Sequence, residues 1–142
     1  MATTSTARTH WQGSLTEGSG TTELVTSGEA SFDVTWSARA EAASGTTNPE
    51  ELLAAALATC YSMALSLALS SAGTPPTSLE TTVGMTFQPG TGITGATIKV
   101  VGSVPGINAE TFTGFAEETK SGCPVSQALS GIEKTLEVSF NG

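Results

Sequence analysis

The chain has 142 residues, of which 38% are hydrophobic and only 13% are charged. Five Lys and Arg residues stand against 13 Asp and Glu residues, which gives a net charge of −8. A surface this acidic repels phosphate backbones and argues against binding to nucleic acid.

The length suffices for one domain with a core, so we predict a single domain over residues 1–142, with residues 1–8 flexible. The start of the chain does not read as a signal peptide, and we therefore expect a reducing, cytoplasmic setting.

Residues 9–41 are predicted to form strands. β-branched and aromatic residues alternate in part in the segments TTELVTS and ASFDVTWSARAE, which glycines separate. In the second segment Phe32, Val34 and Trp36 would share one face of a strand, because side chains alternate with a period of two. Arg39 is expected on the same strand.

A long helix is predicted to follow. Asn48 is a favourable N-cap, Pro49 suits the first helical position, and the acidic Glu50 and Glu51 suit the positive end of the helix dipole. A glycine and two prolines, in the segment GTPP, are expected to end the helix after roughly 24 residues.

This helix lies in a long uncharged run, from Leu52 to Leu79. By length alone the run could span a membrane. Its serines and threonines dilute its apolarity, and no Lys or Arg cluster flanks either end. We therefore favour a helix that is buried on most sides in a soluble protein, with a second subunit supplying part of the cover.

The remaining segments alternate between strands and helices. LETTVGMTFQ and ATIKVVGSVPGI are predicted strands joined by a turn, and NAETFTGFAEETKSG is a predicted helix. A shorter helix, PVSQALSG, and a last strand, IEKTLEVSF, complete the chain. The order of elements indicates an α+β protein.

Two cysteines occur in different helical contexts. Cys123 comes just before a helix that begins with proline, where exposed N–H groups can favour a thiolate and lower a thiol pKa. Cys60 lies inside the long helix, and there it needs a nearby cation to become a nucleophile, because the thiolate is the reactive form. Arg39 is the candidate cation, and Glu50 is the candidate carboxylate that would hold it bidentately. The alternative stays open that both cysteines are core residues and that the two charges are solvated on the surface.

Three segments resemble the OsmC/Ohr family of bacterial organic-hydroperoxide reductases. They are TNPEELLAAALATCYSMALS, VPGINAETF and SGCPVSQAL, in this order, and the similarity extends from about Trp11 to the final strand. The motifs VPGI and CPVSQ are closer to the OsmC branch than to the Ohr branch. The resemblance implies an OsmC-like fold with antiparallel strands around a long buried central helix and a second, shorter helix. It also implies an intertwined homodimer with both active sites at the interface.

The resemblance implies roles for four residues. Cys60 matches the peroxidatic cysteine and Cys123 the resolving cysteine. Glu50 matches the acidic residue of the NPEE motif, and Arg39 falls where OsmC-type members carry the arginine that faces the thiolate. Two positions depart from the family pattern: Leu57 stands where many members have His, and Tyr61 stands where they have Phe.

The implied activity is a cysteine-based peroxidase that reduces organic hydroperoxides in the response to oxidative and osmotic stress. Cys60 would form a sulfenic acid and then a disulfide with Cys123, and an external dithiol, of the lipoyl type in parts of the family, would reduce it. Such a cycle needs no metal, haem or flavin. Two rival functions keep the same fold: a thiol-based peroxide sensor, and a binding protein without turnover.

Overall fold

A computed structural model describes residues 1–41 and 45–142 of the chain. These residues fall into two compact units, Met1–Leu52 and Leu53–Gly142. Each unit contains a three-stranded sheet.

The first unit contains an antiparallel sheet of three short strands in sequence order. They are β1 (Ala7–Gln12), β2 (Ser19–Leu24) and β3 (Ser31–Val34). Ala7 and Arg8 already belong to β1, although the sequence placed them in a flexible start, and Arg8 Nη2 donates to Glu23 Oε1 at 2.9 Å. The long helix, α2 (Pro49–Ser71), begins in this unit at the predicted residue, with Asn48 Oδ1 accepting from the Glu51 N–H at 2.8 Å.

Arg39 lies on a helix and not on the predicted strand. The strand ends at Val34, and residues Trp36–Ala40 form a short helix, α1. Thr35 is its N-cap, because its Oγ1 accepts from the Ala38 N–H at 3.3 Å. Two alanines and the arginine favour the helix, so the β-type alternation that ends at Trp36 does not continue.

The second unit contains a mixed sheet of β4 (Ser78–Gln88), β5 (Gly92–Ser103) and β6 (Glu133–Phe140). β4 and β5 form the predicted antiparallel hairpin. β6 pairs with β5 in parallel, so the expectation of antiparallel strands is wrong for the last strand. The connection between β5 and β6 contains two helices, α3 (Ala109–Gly122) and α4 (Pro124–Ala128), and a crossover of this length lets the chain return in the same direction.

One face of α2 packs in the core of the second unit. Four residues at a spacing of four are fully buried: Leu57, Tyr61, Leu65 and Leu69. They belong to one cluster with buried residues of β5 and α3. Ser62 Oγ also donates to Thr81 Oγ1 of β4 at 2.7 Å, which joins the helix to the sheet.

The opposite face of α2 is exposed in the single chain, so burial on most sides, with a second subunit supplying part of the cover, stays a prediction. The side chains of Met63 and Leu67 are 69% and 68% exposed. Among the described residues, α2 is the one helix whose length and apolar composition would allow it to cross a membrane, a test that a core helix also passes. Because its residues Leu57, Tyr61, Leu65 and Leu69 are fully buried, one face of α2 belongs to the core of this unit.

The position of α3 depends on a close approach between Gly102 of β5 and Phe112. A Cβ added to Gly102 would overlap the Phe112 ring, which also packs on the Phe140 ring at a centroid distance of 5.3 Å. We predict that Gly102→Ala lowers the free energy of unfolding by about 1–3 kcal/mol, because overpacking displaces the ring.

Gly114 provides the matched control for this change. It lies exposed within α3, and an added Cβ there meets nothing within 4 Å. Gly114→Ala should raise the free energy of unfolding by about 0.5–1 kcal/mol, because alanine favours the helix. Urea denaturation of both variants measures the two effects, and equal effects of the same sign would contradict the packing account.

Candidate active site

The structure brings Arg39 and Glu50 together in the first unit. Arg39 Nε donates to both Glu50 carboxylate oxygens, at 3.0 and 3.2 Å, and Nη2 donates to Oε2 at 3.0 Å. Glu50 is only 5% exposed, and it lies in the first turn of α2, where a carboxylate is favourable. Asn48 Nδ2 donates to Ala38 O at 2.9 Å, which ties α1 to the start of α2. The guanidinium is therefore held in one plane by a buried carboxylate.

An apolar cavity of about 350 Å³ opens beside this guanidinium, within the first unit. Both tryptophans of the chain, Trp11 and Trp36, line it. The other lining residues besides Arg39 are Thr9, Leu15, Thr22, Val34, Thr35, Pro49 and Leu52. These lining residues were not predicted to form a site, because they are distant from one another in the sequence and none has a catalytic side chain.

The structure also brings Cys60 and Cys123 together, in the second unit. Both are free thiols, and two adjacent backbone N–H groups donate one hydrogen bond to each sulfur. Cys60 is partly exposed on α2, and Cys123 is fully buried between α3 and α4. The Val125 N–H donates to Cys60 Sγ at 3.4 Å, and the Ser126 N–H donates to Cys123 Sγ at 3.4 Å.

Burial decides the ionisation of the Cys123 thiol. The largest effect is desolvation, which raises its pKa, and the hydrogen bond and charge of Cys60 act in the same direction. The N–H groups of Ser126 and Val125 lower the pKa, as the position before a helix predicted, but they do not outweigh burial. The expected lowering of the Cys123 pKa is therefore wrong in its net sign.

The two departures from the family pattern are both core residues. Leu57 is fully buried in the core cluster of the second unit. Tyr61 is also fully buried, and its hydroxyl donates to Ala116 O of α3 at 2.8 Å. Burial, followed by the charges of Glu117 and Cys123, raises the Tyr61 pKa, so this hydroxyl stays a donor. The tyrosine thus adds one hydrogen bond between α2 and the helix that leads to Cys123.

The four predicted site residues form two pairs, Arg39 with Glu50 and Cys60 with Cys123. Each pair lies within one compact unit. The guanidinium beside the Cys60 sulfur stays a prediction. The N–H donors of Val125 and Ser126 were not predicted, because every residue except proline has a backbone N–H and the residue type therefore gives no signal. The one signal was the proline after Cys123, which indicated a helix start there.

Comparison with known proteins assigns the family. Residues 42–138 match the family described as OsmC-like protein. The chain belongs to the OsmC-like protein family. Peroxiredoxin OsmC of Escherichia coli is 43% identical over 131 residues, which cover 90% of each chain. This relative bears the name of the OsmC branch that the VPGI and CPVSQ motifs indicated.

Solved structures of the family share the fold. An organic hydroperoxide resistance protein OsmC from Legionella pneumophila has a TM-score of 0.74 at 23% identity, with 98% of each chain covered. An organic hydroperoxide resistance protein from Elizabethkingia anophelis has a TM-score of 0.68 at 28% identity, with coverage of 99% of this chain and 100% of that one. The chain thus has the OsmC-like α+β fold.

Proposed function

We propose that the protein is a thiol-dependent peroxidase that reduces organic hydroperoxides to alcohols. The observation that carries the proposal is the pair of free thiols, Cys60 and Cys123, whose sulfurs accept hydrogen bonds from the adjacent N–H groups of Val125 and Ser126. One is accessible to a substrate and the other is buried. The name of the Escherichia coli relative, a peroxiredoxin, supports the same activity.

The Cys60 thiolate attacks the distal oxygen of ROOH. The O–O bond breaks, ROH leaves after taking up a proton, and a sulfenic acid remains on Cys60. The Cys123 sulfur then attacks the sulfenic sulfur, which releases water and forms the Cys60–Cys123 disulfide. An external dithiol, for which the lipoyl type is our candidate, supplies two electrons and two protons and is itself oxidised to a disulfide.

The burial of Cys123 supports these different roles of the two cysteines. Since burial raises the Cys123 pKa, this sulfur stays a neutral thiol and reacts slowly with peroxide. It attacks only when its neighbour Cys60 has become an electrophile. Thus the first oxidation falls on Cys60, and the second step follows because the adjacent N–H groups of Val125 and Ser126 hold the two sulfurs near each other.

The apolar cavity beside Arg39 supports an organic substrate. Its walls are the two indoles and aliphatic side chains, which suit an alkyl or aryl group better than the small polar H₂O₂. Arg39, held by Glu50, would orient the peroxide group and favour the thiolate of Cys60.

A peroxide-consumption assay with dithiothreitol tests the central role of Cys60. The wild-type chain should consume cumene hydroperoxide continuously, and with a higher kcat/KM than H₂O₂. Cys60→Ser should reduce consumption to the rate of buffer with dithiothreitol, because the nucleophile is lost. When dithiothreitol is left out, Cys123→Ser should consume one equivalent of peroxide and then stall, because no thiol resolves the sulfenic acid.

Each alternative gives a different result in this assay. A peroxide sensor would form the disulfide but cycle slowly, and a binding protein would not consume peroxide at all. Wild-type consumption by Cys60→Ser would refute the proposal, and a clear preference for H₂O₂ would refute the organic substrate class.

The two arginines of the chain provide a matched pair for testing the cation. Arg39→Gln should slow the oxidation of Cys60 by cumene hydroperoxide by about 10- to 100-fold, because a positioned charged donor is removed. Arg8→Gln should leave the rate unchanged, since Arg8 is 70% exposed and pairs with Glu23 on the surface. Stopped-flow measurement in the Cys123→Ser background isolates this step. Equal rates for the two variants would contradict a role for Arg39.

We also propose that a second copy of the chain covers the exposed face of α2, forming a homodimer. Met63 and Leu67 are large apolar side chains on this face and are about two-thirds exposed. Exposed apolar faces of this kind mark association surfaces. Leu67→Glu should shift the wild-type dimer to monomer in analytical ultracentrifugation, whereas Val25→Glu, at an exposed apolar residue outside α2, should leave it dimeric. A monomeric wild-type chain would refute the dimer.

A further inference from the structure

Two backbone N–H groups at the start of α4 point at the sulfurs and not at other backbone groups. The Val125 N–H donates to Cys60 Sγ and the Ser126 N–H to Cys123 Sγ, each at 3.4 Å. The first N–H groups of a helix have no partner within the helix, so donation to sulfur breaks no helical hydrogen bond.

The strength of these hydrogen bonds depends on the redox state of the sulfurs. A sulfur that carries negative charge is a stronger acceptor than a neutral one, because charge-assisted hydrogen bonds are about twice as strong. A disulfide sulfur cannot ionise, whereas Cys60 of the dithiol is the proposed thiolate nucleophile. The Val125 N–H, which donates to the Cys60 sulfur, therefore stabilises the dithiol more than the disulfide.

We propose that the backbone amide of Val125 raises the reduction potential of the Cys60–Cys123 couple, so that an external dithiol reduces the disulfide readily. The inference rests on the proposed function in one respect: the two cysteines must form a disulfide. In the reduction, the Cys60–Cys123 bond breaks, the external dithiol gives up two electrons and two protons, and it forms its own disulfide. A couple whose reduced form is stabilised is the more oxidising one.

An amide-to-ester replacement at residue 125 tests the proposal on the full-length chain. Incorporating the α-hydroxy acid analogue of valine replaces the N–H by oxygen and keeps the side chain. The protein is equilibrated with mixtures of reduced and oxidised dithiothreitol, and free thiols are counted by alkylation and mass spectrometry. We expect the equilibrium constant for reduction to fall roughly five- to tenfold, as loss of one hydrogen bond to sulfur implies. A tenfold fall is about 30 mV for a two-electron couple.

The matched control is the same replacement at Gln127. Its N–H donates to Cys123 O at 3.0 Å, so the control removes a donor from the same short helix without touching a sulfur. We expect it to change the equilibrium constant less than twofold. If the ester at residue 125 does not yield folded protein, Val125→Pro removes the same N–H within the first helical turn, where proline is tolerated.

The outcomes separate this inference from the proposed function. An equilibrium constant that falls no more at residue 125 than at residue 127 overturns the inference, even if the chain is an active peroxidase. A selective fall at residue 125 supports it, even in a chain that consumes no peroxide, because the equilibration contains none.

Discussion

The burial of the Cys123 sulfur against the first turn of α4 is the constraint on which the arrangement of both thiols depends. Cys123 ends α3 and caps α4, so it cannot move without disturbing both helices. In this position of Cys123, the Val125 N–H two residues later donates to the Cys60 sulfur at 3.4 Å. One short segment of chain thus holds two sulfurs that are far apart in sequence.

Two opposing effects act on this sulfur, and their balance suits the proposed chemistry. Desolvation disfavours the charged form, and the N–H donors favour it. Because desolvation is the larger effect, Cys123 is a poor first target for peroxide and a good second reactant. Cys60 is partly exposed to solvent, whereas Cys123 is buried, so a substrate can reach Cys60.

Local signals predicted the elements that depend on neighbouring residues. The start of α2 was predicted correctly because a capping Asn48, Pro49 and two acidic residues act within one turn. The pairing of Arg39 with Glu50 was predicted on other grounds, because a buried guanidinium needs a carboxylate partner and Glu50 stands at the entry of the helix that carries Cys60. The cysteine motifs indicated the family, and with it the partnership of Cys60 and Cys123.

Features that depend on distant parts of the chain could not be predicted in this way. The direction of β6 is set by the crossover through α3 and α4, which no alternation in its own residues reveals. The two faces of α2 are both apolar, so its composition could not tell which face is in the core and which is exposed. At Trp36, β-type alternation competes with the Thr35 cap, and the cap prevails. The net sign of the Cys123 pKa shift required its burial to be known.

The most direct measurement is the product of one equivalent of cumene hydroperoxide on the reduced wild-type chain. Non-reducing peptide mapping by mass spectrometry should find Cys60 joined to Cys123 within one chain, with both free thiols lost and one equivalent of cumyl alcohol formed. Free thiols that persist, or a Cys60 that carries added oxygen without any bond to Cys123, would contradict the account.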